Sequence, residues 1–206
     1  MDVTEAIRQR RAYRAFIPSE ITDDVIDSLA EAARLSPSAL NMQPWRFVFV
    51  TDRSVIHQLV TTLPSYNEWA RNASMFIAVC SSEDMDAIVH EDQDVRKYVE
   101  HPSQFGESPD RPMCLFDLGI ASGFIMLQAT ALGLVAHPIG GYMESGVKKI
   151  LGVPDKLMVC ALLIVGTHTT DPAAIAALPE DLRKDESKRP ARLAIDRFVF
   201  RDRYGG

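Results

Sequence analysis

An α+β fold is predicted for this chain, on three features of its sequence. Capped amphipathic stretches and short β-branched or aromatic runs follow one another in no regular order. The connections before the strand candidates are too variable for a run of βαβ units. Neither Gly-x-Gly-x-x-Gly after a strand nor Gly-x-x-x-x-Gly-Lys-Ser/Thr occurs, so a doubly wound dinucleotide site or a P-loop is not indicated.

The elements are expected in this order. Asp2 and Glu5 have capping-box spacing and start a short helix that runs to Arg10 or Arg11 and ends in cations. Thr22 caps a second helix, with Asp23 and Asp24 in its first turn and Ile21 and Ile26 placed as a hydrophobic staple. Val25, Ile26, Leu29 and Ala33 mark its buried face as far as Leu35. Residues 36–44 are rich in turn formers and read as a loop, followed by a strand over Arg46–Thr51. Ser54–Leu63 reads as a helix, Asn67–Asn72 as a short helical turn and Met75–Cys80 as a strand.

Residues 83–112 hold an acidic patch, Glu91-Asp92-Gln93-Asp94, and then Pro102, Pro109 and Pro112, the pattern of an insertion. Leu115–Leu132 is apolar almost all round and is expected to be buried on most sides, with Gly119 and Gly123 spaced to admit another backbone. Leu134–Ile139 and Met158–Val165 are further strands, separated by a helix over Glu144–Leu151 that stops at Gly152 and Pro154. Asp171–Glu186 is expected to cross the surface before a last strand at Arg197–Phe200.

With 206 residues, 47% of them hydrophobic and 24% charged, the chain is expected to fold as one unit, 1–206. A net charge of −6 argues against a general nucleic-acid surface but leaves room for a small basic pocket. Cys80, Cys114 and Cys160 form no Cys-x-x-Cys pair, and the five histidines have no ligand spacing, so no metal is expected. The N-terminus has no cationic start or apolar core of a signal peptide, and the apolar stretch 119–136 carries Ser122, Gln128 and Thr130. A cytoplasmic protein without a membrane span is expected.

Four segments could carry chemistry, and each has a plain alternative. Arg10-Arg11-Ala12-Tyr13-Arg14 puts three guanidinium groups in five residues: solvated cations at a helix end, or forks for phosphate oxygens. Ser38, Asn41 and Gln43, in a loop pinned by Pro37, Pro44 and Trp45, either cap their neighbours or bond a heterocycle. His137-Pro138-Ile139-Gly140-Gly141 ends a strand in a plain turn or in backbone N–H groups that a ligand can approach. Ser187-Lys188-Arg189-Pro190 is a surface pair or a further pair of anion ligands. No Gly-x-Ser-x-Gly elbow is present.

Taken in order, these segments resemble the nitroreductase family over nearly the whole chain. Arg10 to Phe16 is similar to the family's Arg-Arg-Ser-x-Arg-x-Phe, and Pro37 to Trp45 keeps Pro-Ser-x-x-Asn-x-Gln-Pro-Trp intact. Ala131 to Leu134 matches Ala-Leu-Gly-Leu, and Lys188-Arg189-Pro190 resembles the late basic pair. The resemblance implies a mostly antiparallel sheet flanked by helices, in a homodimer whose C-terminal arms are exchanged between subunits. It implies FMN held at its phosphate end by Arg10, Arg11, Ala12, Arg14, Lys188 and Arg189, with Pro37, Ser38 and Asn41 from the partner subunit. Asn67, Gly140 and Gly141 would meet the flavin ring, and the insertion at about 83–112 would cover the substrate.

The activity so implied takes electrons from NADH or NADPH through flavin N5 to an electron-poor small molecule, with no catalytic side chain. A non-catalytic or flavin-consuming FMN-binding relative is the alternative. Ala12 departs from the family serine and removes a hydroxyl donor, and Gly140 replaces the glutamate of one branch.

Overall fold

A computed structural model describes residues 1–81 and 113–204, so the expected insertion at about 83–112 lies outside the described residues. Five strands form the sheet: β1 (Phe16–Ile17), β2 (Trp45–Val50), β3 (Met75–Ser81), β4 (Val135–Ile139) and β5 (Met158–His168). All pair antiparallel, in the order β1-β5-β3-β2, with β4 also on β5. β1 escapes sequence reading because two residues ahead of Pro18 are too few to show alternation.

Every residue of β3 is buried, as expected for a strand covered on both faces. Its period of two divides the core. Phe76 and Ala78, with Leu162 and Ile164 of β5, join Ile56, Leu59, Trp69 and Val147 on one side. Met75, Ile77 and Val79, with Leu163 and Val165, join Leu29, Ala33, Leu118 and Ile125 on the other. Each such Val, Leu, Ile, Phe or Met side chain taken from water contributes about 1.5–3 kcal/mol.

Carboxylates cap the first and third helices, whereas Thr22 stands at the expected start of the second helix without a side-chain cap bond. In α1 (Val3–Gln9) the Asp2 carboxylate accepts from the Glu5 N–H at 2.8 Å, while the Glu5 side chain bonds Gln9 instead of closing the box. α2 spans Asp23–Arg34, and α3 spans Arg53–Val60 with the Asp52 carboxylate accepting from the N–H groups of Ser54 and Val55. α5 (Glu144–Leu151) ends at Gly152, whose φ of 66° is the left-handed cap that glycine adopts without strain. The polar stretch expected only to cross the surface contains α6 (Pro172–Ala176) and α7 (Glu180–Ser187).

Two expectations are corrected. α4 (Met113–Ala131) is buried along a stripe that includes Asp117, Leu118, Ala121, Ile125 and Ala129, leaving Leu115, Phe116 and Phe124 exposed. A Cβ on Gly119 or Gly123 would meet nothing within 4 Å, so among the described residues no other backbone approaches them. α4 is apolar on two faces, and the described residues cover one of them, by α2 and the sheet. By length and composition α4 would suffice to cross a membrane, but its buried stripe belongs to the sheet core. The strand expected at Arg197–Phe200 does not form. A 3-10 turn over Ile195–Arg197 leads into unpaired backbone, because alternating apolar residues make a strand only where an edge accepts them.

Candidate functional site

At Arg10, the C-cap of α1, the backbone is no longer helical (φ −50°, ψ 126°), and the chain leaves the helix through Arg14 toward β1. Arg10, Arg11, Ala12 and Arg14 meet Asp185, Arg189, Pro190 and Arg192 around a cavity of about 120 Å³. Five guanidinium groups thus face one carboxylate. Arg189 reaches back to donate to the carbonyls of Arg8 at 2.5 Å and Arg10 at 2.9 Å, closing the carboxyl end of α1. Arg11 donates to the Asp185 carbonyl at 2.6 Å and lies 4.7 Å above the Tyr13 ring. Arg14 stands 3.4 Å from the Asp185 carboxylate. Burial, and then the charges of Arg189 and Arg192, push the Arg10 guanidinium below its ordinary pKa. A compact anion with several oxygens relieves that repulsion and matches the guanidinium forks.

Behind the cavity Glu186 is almost completely buried. It accepts from the Arg14 N–H at 2.9 Å, from the Ala15 N–H at 3.3 Å and pairs with His168 Nε2 at 3.1 Å. The His168 ring stacks on Tyr13 with centroids 3.7 Å apart.

A second set of contacts ties the arginine segment to β4. His137 Nδ1 lies 3.1 Å from the Tyr13 carbonyl, and its ring is 4.9 Å from that of Trp69. Burial, reinforced by Arg14 and Arg10 and opposed by the bond to Tyr13, pushes His137 down to about 4. Trp69 donates its indole N–H to Asn67 Oδ1 at 3.1 Å. That bond fixes the Asn67 amide, whose NH₂ group has no hydrogen-bond partner among the described residues although the side chain is buried. Gly140 and Gly141 follow β4 on the surface, and a Cβ on Gly141 would lie 4.0 Å from the Tyr66 hydroxyl. Arg14 also lines a larger cavity of about 490 Å³ with Phe16, Tyr66, Trp69, Arg71 and Leu178, which Asn67, Gly140 and Gly141 do not line.

The loop from Pro37 to Trp45 is built as tightly but stands apart. Ser38 Oγ accepts from the Gln43 N–H at 2.9 Å, and buried Asp117 of α4 accepts from the Ala39 N–H at 3.2 and 3.3 Å. Asn41 and Gln43 are left-handed, with φ of 56° and 49°, a conformation that costs non-glycine residues about 1–3 kcal/mol each. Among the described residues no hydrogen bond or ion pair joins Pro37, Ser38 or Asn41 to the arginine cluster.

Of the residues singled out by sequence, the structure brings Arg10, Arg11, Ala12, Arg14 and Arg189 together. Lys188 is exposed at the end of α7 and does not line the cavity. Sequence reading missed Asp185, Glu186, Arg192 and the role of His137. Their signal was adjacency, two acids just before Ser187-Lys188-Arg189 and an arginine three residues beyond it. Burial pushes the Cys80 thiol up to about 11 and the Cys160 thiol up to about 12, which disfavours thiolate chemistry at either. Among the described residues no group of three or more metal-ligating side chains is found.

The model of the nitroreductase family matches residues 7–167, from α1 to the end of the sheet. The oxygen-insensitive NADPH nitroreductase of Helicobacter pylori is 31% identical over 168 residues, covering 74% of this chain and 80% of that one. A solved oxidoreductase described as containing FMN is 29% identical and superposes with a TM-score of 0.78 over 100% of this chain and 93% of its own. A nitroreductase from Exiguobacterium sibiricum, solved in complex with FMN, is 23% identical with a TM-score of 0.75 over 97% of both chains. The family match takes in the arginine segment, the strained loop and the paired glycines, and on that ground the chain belongs to the nitroreductase family.

Proposed function

We infer that this protein is an FMN-dependent oxidoreductase that passes electrons from NADH or NADPH to an electron-poor small molecule such as a quinone, enone or nitroaromatic. The observation that carries this reading is the cavity in which Arg10, Arg11, Arg14, Arg189 and Arg192 face the lone carboxylate of Asp185. Five guanidinium groups around one carboxylate leave an excess of positive charge that a multiply charged anion neutralises. The phosphate of FMN has that charge and size.

Bound FMN supplies the electron-transfer chemistry. Arg10, Arg11, Arg14 and Arg189 hold its phosphate, and Lys188 adds charge from the rim. Ala12 offers no hydroxyl, which leaves the guanidinium groups a larger share of the binding. Asn67 presents its NH₂ group, which has no partner among the described residues, to the ring edge. Gly140 supplies main-chain N–H contact together with Gly141, and open space where the Gly140 Cβ would stand lets a ligand approach closely. Arg14, shared by both cavities, stabilises negative charge that builds up on reduction.

The active form is a homodimer. The bare face of α4 with Phe116 and Phe124, and the exposed Leu193, Ile195, Phe198 and Val199 of the tail, give apolar surface for a second copy to cover. Pro37, Ser38 and Asn41 then complete the site from the partner subunit, and the tail lies over the partner as an exchanged arm.

Titration of the apoprotein with FMN and with riboflavin tests this reading. One FMN per chain, bound at least tenfold more tightly than riboflavin, is expected. Equal affinity for the two flavins, or no binding of either, contradicts it.

A further inference from the structure

We propose that Glu186 is the positioning residue that assembles the phosphate end of the flavin site, an inference that rests on the FMN reading above. Its carboxylate is buried and lies just outside the cationic cavity, so it does not itself meet the ligand. Both oxygens are engaged. Oε1 takes the Arg14 N–H at 2.9 Å, and Oε2 takes the Ala15 N–H at 3.3 Å and meets His168 Nε2 at 3.1 Å.

These bonds join three parts of the chain that are far apart in sequence. Arg14 and Ala15 belong to the segment between α1 and β1, His168 ends β5, and Glu186 is in the last turn of α7. Holding α7 against Arg14 has two results. Asp185 is brought within 3.4 Å of the Arg14 guanidinium, and its carbonyl within 2.6 Å of Arg11. Arg189, three residues beyond Glu186, is brought to the carbonyls of Arg8 and Arg10.

The His168 ring bonded to Glu186 also stacks on Tyr13, over which Arg11 lies, so the same carboxylate supports the platform beneath a second guanidinium. The geometry is that of one buried acceptor setting the backbone that carries Arg14 while fixing the helix that delivers Arg189. Glu186 also places an anion behind a cluster of cations that would otherwise repel one another before the ligand arrives.

The role is specific to the phosphate, and that makes it separable from general support of the fold. Glu186→Ala removes the acceptor and leaves the Arg14 and Ala15 N–H groups unpaired. Glu186→Gln keeps one acceptor oxygen for Arg14 but turns an NH₂ group toward Ala15 and His168. FMN and riboflavin dissociation constants are measured on folded apoprotein of the wild type and both variants, with circular dichroism as the check of folding.

The expected result is a loss of FMN affinity of at least tenfold in Glu186→Ala and a smaller loss in Glu186→Gln, with riboflavin affinity within twofold of wild type. Should Glu186→Ala not fold, the fall in the FMN-to-riboflavin preference of Glu186→Gln decides alone. An unchanged preference in the folded variants, or equal losses for both flavins, overturns the positioning role while the FMN reading stands. A wild type without preference for FMN overturns both.

Discussion

The ring of His137 bonds the carbonyl of Tyr13 at 3.1 Å, and since a carbonyl only accepts, Nδ1 carries the proton. β4 is thereby fastened to the arginine segment through a histidine that burial keeps neutral. Its pKa falls from 6.5 to about 4 on folding. Between those values the unfolded chain takes up a proton that the folded chain refuses. The stabilisation is therefore complete above pH 6.5 and is lost as the pH falls toward 4, by up to about 3 kcal/mol. Urea unfolding of the apoprotein across this range should give a steeper pH dependence in wild type than in His137→Gln, which keeps a donor but does not titrate. Identical slopes would exclude His137 as the source.

Asp117 offers a test with the opposite sign. Burial raises its carboxyl pKa, and the bond from the Ala39 N–H lowers it only in part. Folding therefore favours the protonated form, and the charged form weakens the fold as the pH rises through the folded value. Asp117→Asn keeps an acceptor and removes the charge, so it should be at least as stable as wild type at neutral pH, with the difference shrinking in acid. Asp117→Ala orphans the Ala39 N–H and should lose about 1–3 kcal/mol. Denaturant midpoints for the three proteins decide the matter.

Burial, and then the charges of Arg189 and Arg192, disfavour the charged form of Arg10 in the cavity. Arg10→Ala should weaken FMN binding by about 2–5 kcal/mol, about thirtyfold or more. Arg10→Lys keeps the charge without the fork and should fall between. Fluorescence titration measures both, and an Arg10→Ala protein with wild-type affinity would move the phosphate elsewhere.

The bare face of α4 gives a prediction about assembly. Phe124 is exposed beside Gly123, which no other described residue approaches within 4 Å of its Cβ position. Phe124→Glu should shift the protein to monomer in light scattering and lower FMN retention in parallel, because Pro37, Ser38 and Asn41 would no longer reach the second site. A dimer that keeps its flavin would show that this face is not the interface.

Most of the architecture was legible because its causes are local. Asp2 caps a helix through a bond three residues long, Gly152 supplies a left-handed stop, and β3 is a continuous apolar run. What was not legible depends on distant chain. The two residues of β1 are a strand only because His168 and Thr167 lie beside them. Residues 197–200 carry a strand-like pattern but find no edge, and α4 shows two apolar faces whose separate fates composition cannot assign. In the site, the arginines announced themselves by clustering. Glu186 and His137 did not, since an acid in a polar run and a lone histidine acquire meaning only when folding places Arg14 and Tyr13 against them.

The central claim is that the arginine cavity holds a flavin that works as a redox carrier. Anaerobic addition of NADH or NADPH to the FMN-loaded protein, followed by an electron-poor acceptor such as a quinone, tests it most directly. Bleaching of the flavin absorption by the nicotinamide and its return with the acceptor is the predicted result. A protein that stays colourless after incubation with FMN, or whose bound FMN neither nucleotide bleaches, would contradict the account.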